Sequence, residues 1–200
     1  MISKDISRTL SDLQLWREDL TAGNNKLFNV LKAYANYDNE VSYVQGLNYV
    51  VGMMLFYIED EEQVFWCLFS LMQKKWQWRW IYKEGLPKLQ SLLALLNERM
   101  QMEFPRILSH LAENYLEVAG TFSPLFMTLF VYMTPFDVAS RLFELFLLDG
   151  ELVLIRVILK MIELKQRKIL GMQETELQRY MLSGMVAECT RSYSLARLLL

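Results

Sequence analysis

A single histidine, two cysteines and four prolines are spread through 200 residues, and each scarcity removes a class of function. One histidine cannot build a two-histidine zinc helix, and any nucleophile–histidine pair would have to depend on His110. His110 lies between Leu108 and Leu111 in a helical stretch, and reads as a structural histidine. Cys67 and Cys189 are far apart and lack metal-ligand spacing, so they read as reduced, buried thiols of a cytosolic protein. There is no GxxxxGK[ST] phosphate loop and no GxGxxG, which excludes the common Gly-rich routes to a nucleotide. The acids Asp60, Glu61 and Glu62 sit where they cap a helix, and no catalytic carboxylate pair stands out. A net charge of −2 excludes a general nucleic-acid binder, which needs a basic surface. The opening MISKDISRTL is neither an apolar signal core nor an Arg/Ser-rich transit peptide.

What the chain does have is apolar residues, 53% against 22% charged, enough for a substantial core and too many for disorder. Val41–Ile58 and Val118–Phe136 carry no charge and are long enough to span a bilayer. The first contains Ser42, Gln45 and Asn48; the second contains Thr121, Ser123, Thr128 and Thr134 and is broken by Pro124. Both are therefore read as buried core helices, and no transmembrane segment is expected.

Helical periods recur along the chain, which predicts one all-α, multi-helical domain over 1–200. A short polar helix is predicted over 3–10. Ser11 with Gln14 has the spacing of a capping box, opening a short helix that Gly23-Asn24 ends. The apolar positions 27, 28, 30, 31, 34 and 35 predict a helix over 25–37, closed by a turn at Asp38-Asn39. Ser42 with Gln45 offers another capping box, predicting a central buried helix over 42–58 that accommodates Gly46 and Gly52. On it Gln45 and Asn48 would share one face. Asp60 with Gln63 caps the next helix, whose inner stripe is Val64, Phe65, Leu68, Phe69 and Met72.

Between 74 and 82 Trp76, Trp78 and Trp80 alternate, but no neighbouring strand signal supports a sheet, so the segment is read as a packed connector. An amphipathic helix follows over 86–102, with Leu89, Leu92, Leu93, Leu96 and Met100 inward. Phe104-Pro105 and Ser123-Pro124 read as further helix starts. Thr134-Pro135-Phe136-Asp137 combines a cap, an N1 proline and an N3 acid, and Asp149-Gly150 ends that helix. Residues 152–164 predict a core helix with a thin polar stripe of Arg156, Lys160 and Glu163, before two weaker segments from 172. The abrupt Leu198-Leu199-Leu200 terminus reads as a cut from something longer.

A small polar set remains. Asp5 and Arg8 lie three apart on the first helix, and Gln45 and Asn48 three apart on the central one. From spacing alone Arg8 is a surface cation paired with Asp5, and Gln45 a capping partner. Two motifs change that reading. Ile2-Ser3-Lys4-Asp5-Ile6-Ser7-Arg8-Thr9 resembles the IxxDxxRT motif of TBC domains, and Tyr43-Val44-Gln45-Gly46 resembles that family's YxQG motif. The intervening VLKAYANYDNEVSYVQGLN and the block FSPLFMTLFVYMTPFDVASRLFELFLLDG are similar to the family pattern. Leu125 stands where the family usually has tryptophan, and Glu144 where it has aspartate.

TBC domains are all-helical activators of Rab GTPases, and the resemblance implies roles. Arg8 would be an arginine finger whose planar cation meets the charge developing on the transferring phosphoryl group. Gln45 would be a second finger that orients the attacking water. Asp5 would hold Arg8, while Thr9, Tyr43, Gly46 and Asn48 would support the two motifs. Arg8 and Gln45 should then share one face of the domain. The partner would be a Rab-family GTPase, which binds GTP and magnesium itself, leaving this chain with no cofactor, no metal and no catalysis of its own. The setting implied is cytoplasmic, with membrane association only through partners. Because the chain starts almost on the first motif, it is expected to lack the family's most N-terminal helices. The alternative within this resemblance is an inactive scaffold that binds a small GTPase without accelerating hydrolysis.

Overall fold

The computed structural model describes residues 2–13 and 20–199, apart from the side chains of 7, 8, 10–13 and 20–24; among them there is no strand. The chain falls into two compact units, Met1–Leu89 and Gln90–Leu200.

The first unit is built around α3 (Leu47–Tyr57), in which every residue from Leu47 to Leu55 is buried. A helix without a charge on any side is stable only when neighbours cover it all round. They are α1 (Ile2–Leu13), α2 (Leu20–Tyr37) and α4 (Glu61–Phe69), all of which pack on it. Leu27, Leu31, Tyr34, Val64 and Leu68 close around it with no exposed surface. The predicted cap of α4 forms: the Gln63 N–H donates to Asp60 Oδ1 at 2.8 Å. After α4 the chain runs through a widened turn, Ser70–Lys75, into a 3-10 turn, Trp78–Ile81. Trp78 is fully buried there while Trp80 is 40% exposed, so the alternating tryptophans belong to a packed connector and not to a strand.

Several predicted boundaries shift. Ser42 and Gln45 form no capping box: Ser42 has φ 56° and Gly46 φ 107°, and helical geometry begins only at Leu47. The Ser42 N–H instead donates to the Asp38 carbonyl at 2.7 Å, carrying the turn after α2 onward. Gly46 is therefore not a helix-interior glycine but the residue able to adopt the turn; Gly52 stays inside α3 and is buried. Ser11 lies within α1 and opens nothing, while Gln14 lies outside the described residues. Gly23-Asn24 does not end a helix, because α2 runs from Leu20 through both. Packing against α1, α3 and α4 outweighs the ~1 kcal/mol that a helical glycine costs.

The unit boundary falls inside α5 (Pro87–Glu103), whose Leu89, Leu92, Leu93, Leu96 and Met100 are buried as predicted. Then come α6 (Pro105–Glu113), α7 (Val118–Met127), α8 (Phe136–Asp149) and α9 (Leu152–Leu170). A short α10 (Glu174–Arg179), a widened turn Tyr180–Gly184, α11 (Met185–Ser192) and α12 (Leu195–Leu199) complete the described residues. Helix α9 packs against α6, α8, α11 and α12, and of its polar stripe Lys160 pairs with Glu163 at 2.9 Å. Pro124 does not start a helix; it sits inside α7. The carbonyl of Gly120, four residues earlier, loses its partner there, but Gly120 is exposed, so water can replace the bond. Thr134 is no cap either: its hydroxyl is buried without a hydrogen bond, and Pro135 takes the N-cap position of α8.

His110 has the structural role expected, its Nε2 donating to the Met172 carbonyl at 2.8 Å. Leu125 is buried in α7, and Glu144 pairs with Arg141 at 2.9 Å on α8. Cys189 is buried, which pushes its thiol up to about 11; Cys67 is exposed, contrary to the expectation that both thiols are inside. Among the described residues no helix is long and apolar enough to cross a membrane, and no cluster of His, Cys, Asp and Glu could hold a metal ion.

Candidate functional site

Gln45 sits in the connection between α2 and α3, in a turn just ahead of Leu47, and its side chain is exposed. A long polar side chain on a loop is useful only if the backbone beneath it is held. The connection, residues 38–46, is held from three sides.

The first hold is a buried relay from α1 to α3. Thr9 has no exposed surface and Asn48 only 2%. The Thr9 hydroxyl donates to the Asp5 carbonyl one turn earlier at 2.6 Å, and its oxygen accepts from Asn48 Nδ2 at 2.5 Å. Asn48 Oδ1 accepts from the Gly46 N–H at 2.9 Å. One amide therefore fixes both the first motif and the glycine of the second. Gln45 and Asn48 do not share an exposed face as predicted: the relay draws Asn48 inward, and the turn at Gly46 leaves Gln45 outside.

The second hold joins the two motifs directly. The Tyr43 hydroxyl donates to Asp5 Oδ2 at 2.7 Å, across 38 residues of sequence. Burial, and then the Asp5 carboxylate, raise the Tyr43 hydroxyl well above the ordinary tyrosine range, so it stays a donor at every physiological pH. Arg8 lies on α1 next to Thr9, but its side chain is outside the described residues, and with it the predicted Asp5–Arg8 contact and the shared face with Gln45.

The third hold was not anticipated. Asp38, read as a simple turn residue, is 5% exposed and is the hub of a polar cluster. Arg79 grips it with both ends of its fork, Nε to Oδ2 at 2.6 Å and Nη2 to Oδ1 at 2.8 Å. Tyr34 and Gln73 donate to Oδ2, each at 3.2 Å, and the Val41 N–H donates to Oδ1 at 3.3 Å. Arg79 also reaches Glu40 at 2.6 Å, and Lys83 reaches the same carboxylate at 2.9 Å. Burial is the largest single influence and opposes the charge on Asp38. The Arg79 hydrogen bonds and charge, with the Val41 and Tyr34 hydrogen bonds, together outweigh it and hold the carboxyl below its usual range. Removing one partner from so buried a pair strands the other and costs about 3–5 kcal/mol. The signal in the sequence is faint: an acid one turn after a buried tyrosine, and an arginine inside the Trp-rich connector 41 positions later.

Comparison with known proteins gives the family. A model of the Rab-GTPase-TBC domain matches residues 1–170. The chain belongs to that family. The human ecotropic viral integration site 5 protein homolog is 28% identical over 170 residues, which is 85% of this chain and 21% of that protein. The Rab GTPase-activating protein eat-17 of Caenorhabditis elegans is 34% identical over 150 residues, covering 75% of this chain and 17% of the relative. The chain thus spans about a fifth of the length of these relatives. Among solved structures, a Chlamydomonas flagellar RabGAP TBC domain superposes with a TM-score of 0.78 at 23% identity, over 99% of this chain and 64% of that one. The Ypt/Rab-GAP domain of Gyp1p gives a TM-score of 0.77 at 16% identity, over 98% and 68% of the two chains. These two likenesses establish the fold.

Proposed function

We propose that this chain is a GTPase-activating domain for a Rab-type small GTPase, and that it contributes Arg8 and Gln45 to the partner's active site. The observation that carries the reading is the exposed Gln45 on a connection fastened to α1, the helix that bears Arg8, in a chain of the Rab-GTPase-TBC family. A Rab hydrolyses GTP slowly because charge on the transferring phosphoryl group is poorly met and the attacking water poorly held. The Gln45 amide, which can both donate and accept, is suited to orient that water. The Arg8 guanidinium is suited to the developing charge, a contribution of ~10³–10⁵ in rate. Asp5 and Tyr43 then serve as supports that join the two motifs. GTP and magnesium belong to the partner; the chain carries out no chemistry alone and works in the cytoplasm, reaching endomembranes through the Rab.

The test is GTP hydrolysis by a panel of Rab proteins with and without this chain, beside thermal melts. Arg8→Ala and Gln45→Ala should each remove most of the acceleration per folded molecule. Gln45→Ala should change stability by less than ~0.5 kcal/mol, because the side chain is exposed. Arg8→Lys behaving like Arg8→Ala would show that the planar fork matters beyond the charge. Full activity in a folded Arg8→Ala protein would refute the finger mechanism and leave a scaffold that binds a small GTPase without activating it.

A further inference from the structure

Arg79 belongs to neither motif, yet it makes three hydrogen bonds to the connection that carries Gln45. We infer that Arg79 is a positioning residue for Gln45, acting through Asp38 and Glu40; the inference rests on the reading of Gln45 as a finger. Midway along the connection Ser42 holds a left-handed φ of 56°, and Gly46 closes it at φ 107°, which glycine adopts without strain. Non-glycine residues hold a left-handed conformation only when their surroundings enforce it. At the Gly46 end the Asn48–Thr9 relay and the Tyr43–Asp5 bond hold the backbone. At the other end the polar hold is centred on Asp38, whose carbonyl accepts from Ser42 N–H and whose carboxylate accepts from Val41 N–H.

Arg79 fixes that carboxylate from outside the connection. It stands on the 3-10 turn Trp78–Ile81, anchored by the fully buried Trp78 and Ile81. Its fork spans the turn, taking Asp38 with two nitrogens and Glu40 with one of them. A planar guanidinium can meet both carboxylates at once, whereas a lysine ammonium is a single point of charge at the end of a shorter reach. The arginine thus transmits the rigidity of the tryptophan-anchored connector to the connection that carries Gln45. Water orientation depends on placement within a fraction of an ångström, so this support should act on turnover more than on partner binding.

The test uses the whole chain and two independent readouts. By hydrogen exchange, Arg79→Lys should expose the Ser42 and Gly46 amides at least ~10-fold faster, with the amides of 51–55 in α3 unchanged. Unchanged exchange at Ser42 and Gly46 in the folded variant overturns the inference without any GTPase present. By kinetics on a responsive Rab, Arg79→Lys should lower kcat at least ~10-fold at nearly constant KM, and have almost no further effect in a Gln45→Ala background. Losses that multiply in the double variant mean that Arg79 does not act through Gln45, and overturn it too. Should no Rab respond to the unsubstituted chain, it is the finger reading that fails, and the exchange result alone judges Arg79. If Arg79→Lys does not fold, Glu40→Gln, at a carboxylate 65% exposed, should give the same pattern more weakly; no change in exchange there counts against the inference.

Discussion

Asn48→Ala is the most exacting perturbation of the site, because one buried amide joins the two motifs. Its Oδ1 takes the Gly46 N–H at 2.9 Å and its Nδ2 serves Thr9 Oγ1 at 2.5 Å, with Asn48 2% exposed. Truncation removes two hydrogen bonds worth a net ~0.5–1.5 kcal/mol each, and strands a buried N–H at a further ~1–3 kcal/mol. With partial relaxation the expected loss is about 2–4 kcal/mol, or roughly 4–16 °C in Tm for a chain of this size. All five tryptophans, at positions 16, 66, 76, 78 and 80, fall in the first unit, so their fluorescence follows its unfolding in urea, while far-UV circular dichroism follows both units. A loss below ~0.5 kcal/mol at unchanged m-value would refute the view that the relay holds the motifs together. Asn48→Asp supplies a matching pH test. The new carboxyl would be buried and would face Thr9 Oγ1, which already gives its proton to the Asp5 carbonyl. Its folded pKa would lie above the unfolded value of about 3.9, so stability should fall as pH rises past ~4 and return below it.

Two further outcomes are expected elsewhere. Leu96→Ala and Ile158→Ala, at positions with no exposed surface in α5 and α9, should each cost ~2–5 kcal/mol through cavity formation, read by dichroism in urea; a loss under ~1 kcal/mol would mean that the core closes over the gap. Glu188 accepts from Lys165 at 2.8 Å and from Lys168 at 2.5 Å, which lower its carboxyl to about 2. A depressed pKa gives stability that is present above the unfolded value and lost as pH falls through the folded one, so the second unit should weaken between about pH 5 and pH 2. Glu188→Gln should flatten that decline in dichroism-monitored melts; an unchanged slope would refute the assignment.

Much of the protein is settled locally. An uncharged run such as 47–55 can only be buried, and Asp60 three residues before Gln63 can cap a helix without help from elsewhere. The same holds for the single inward stripe of α5 and for the absence of a strand partner beside the tryptophans. The two short motifs also mark the helix of residues 3–10 and the segment 43–46 before any packing is known, though the capping-box spacing reads that segment as part of a helix. Other features depended on contacts between distant residues. Helix α3 starts at Leu47 and not at Ser42 because Gly46 is held in its turn by Asn48, itself held by Thr9, 39 residues away. Gly23 and Pro124 remain inside helices because packing and a solvent-exposed carbonyl absorb costs that local propensity counts in full. Asp38 and Arg79 carry no shared period or spacing. Only the fold brings an arginine 41 positions on against a turn acid, because burying that charge is tolerable when the partner's fork is already anchored by Trp78.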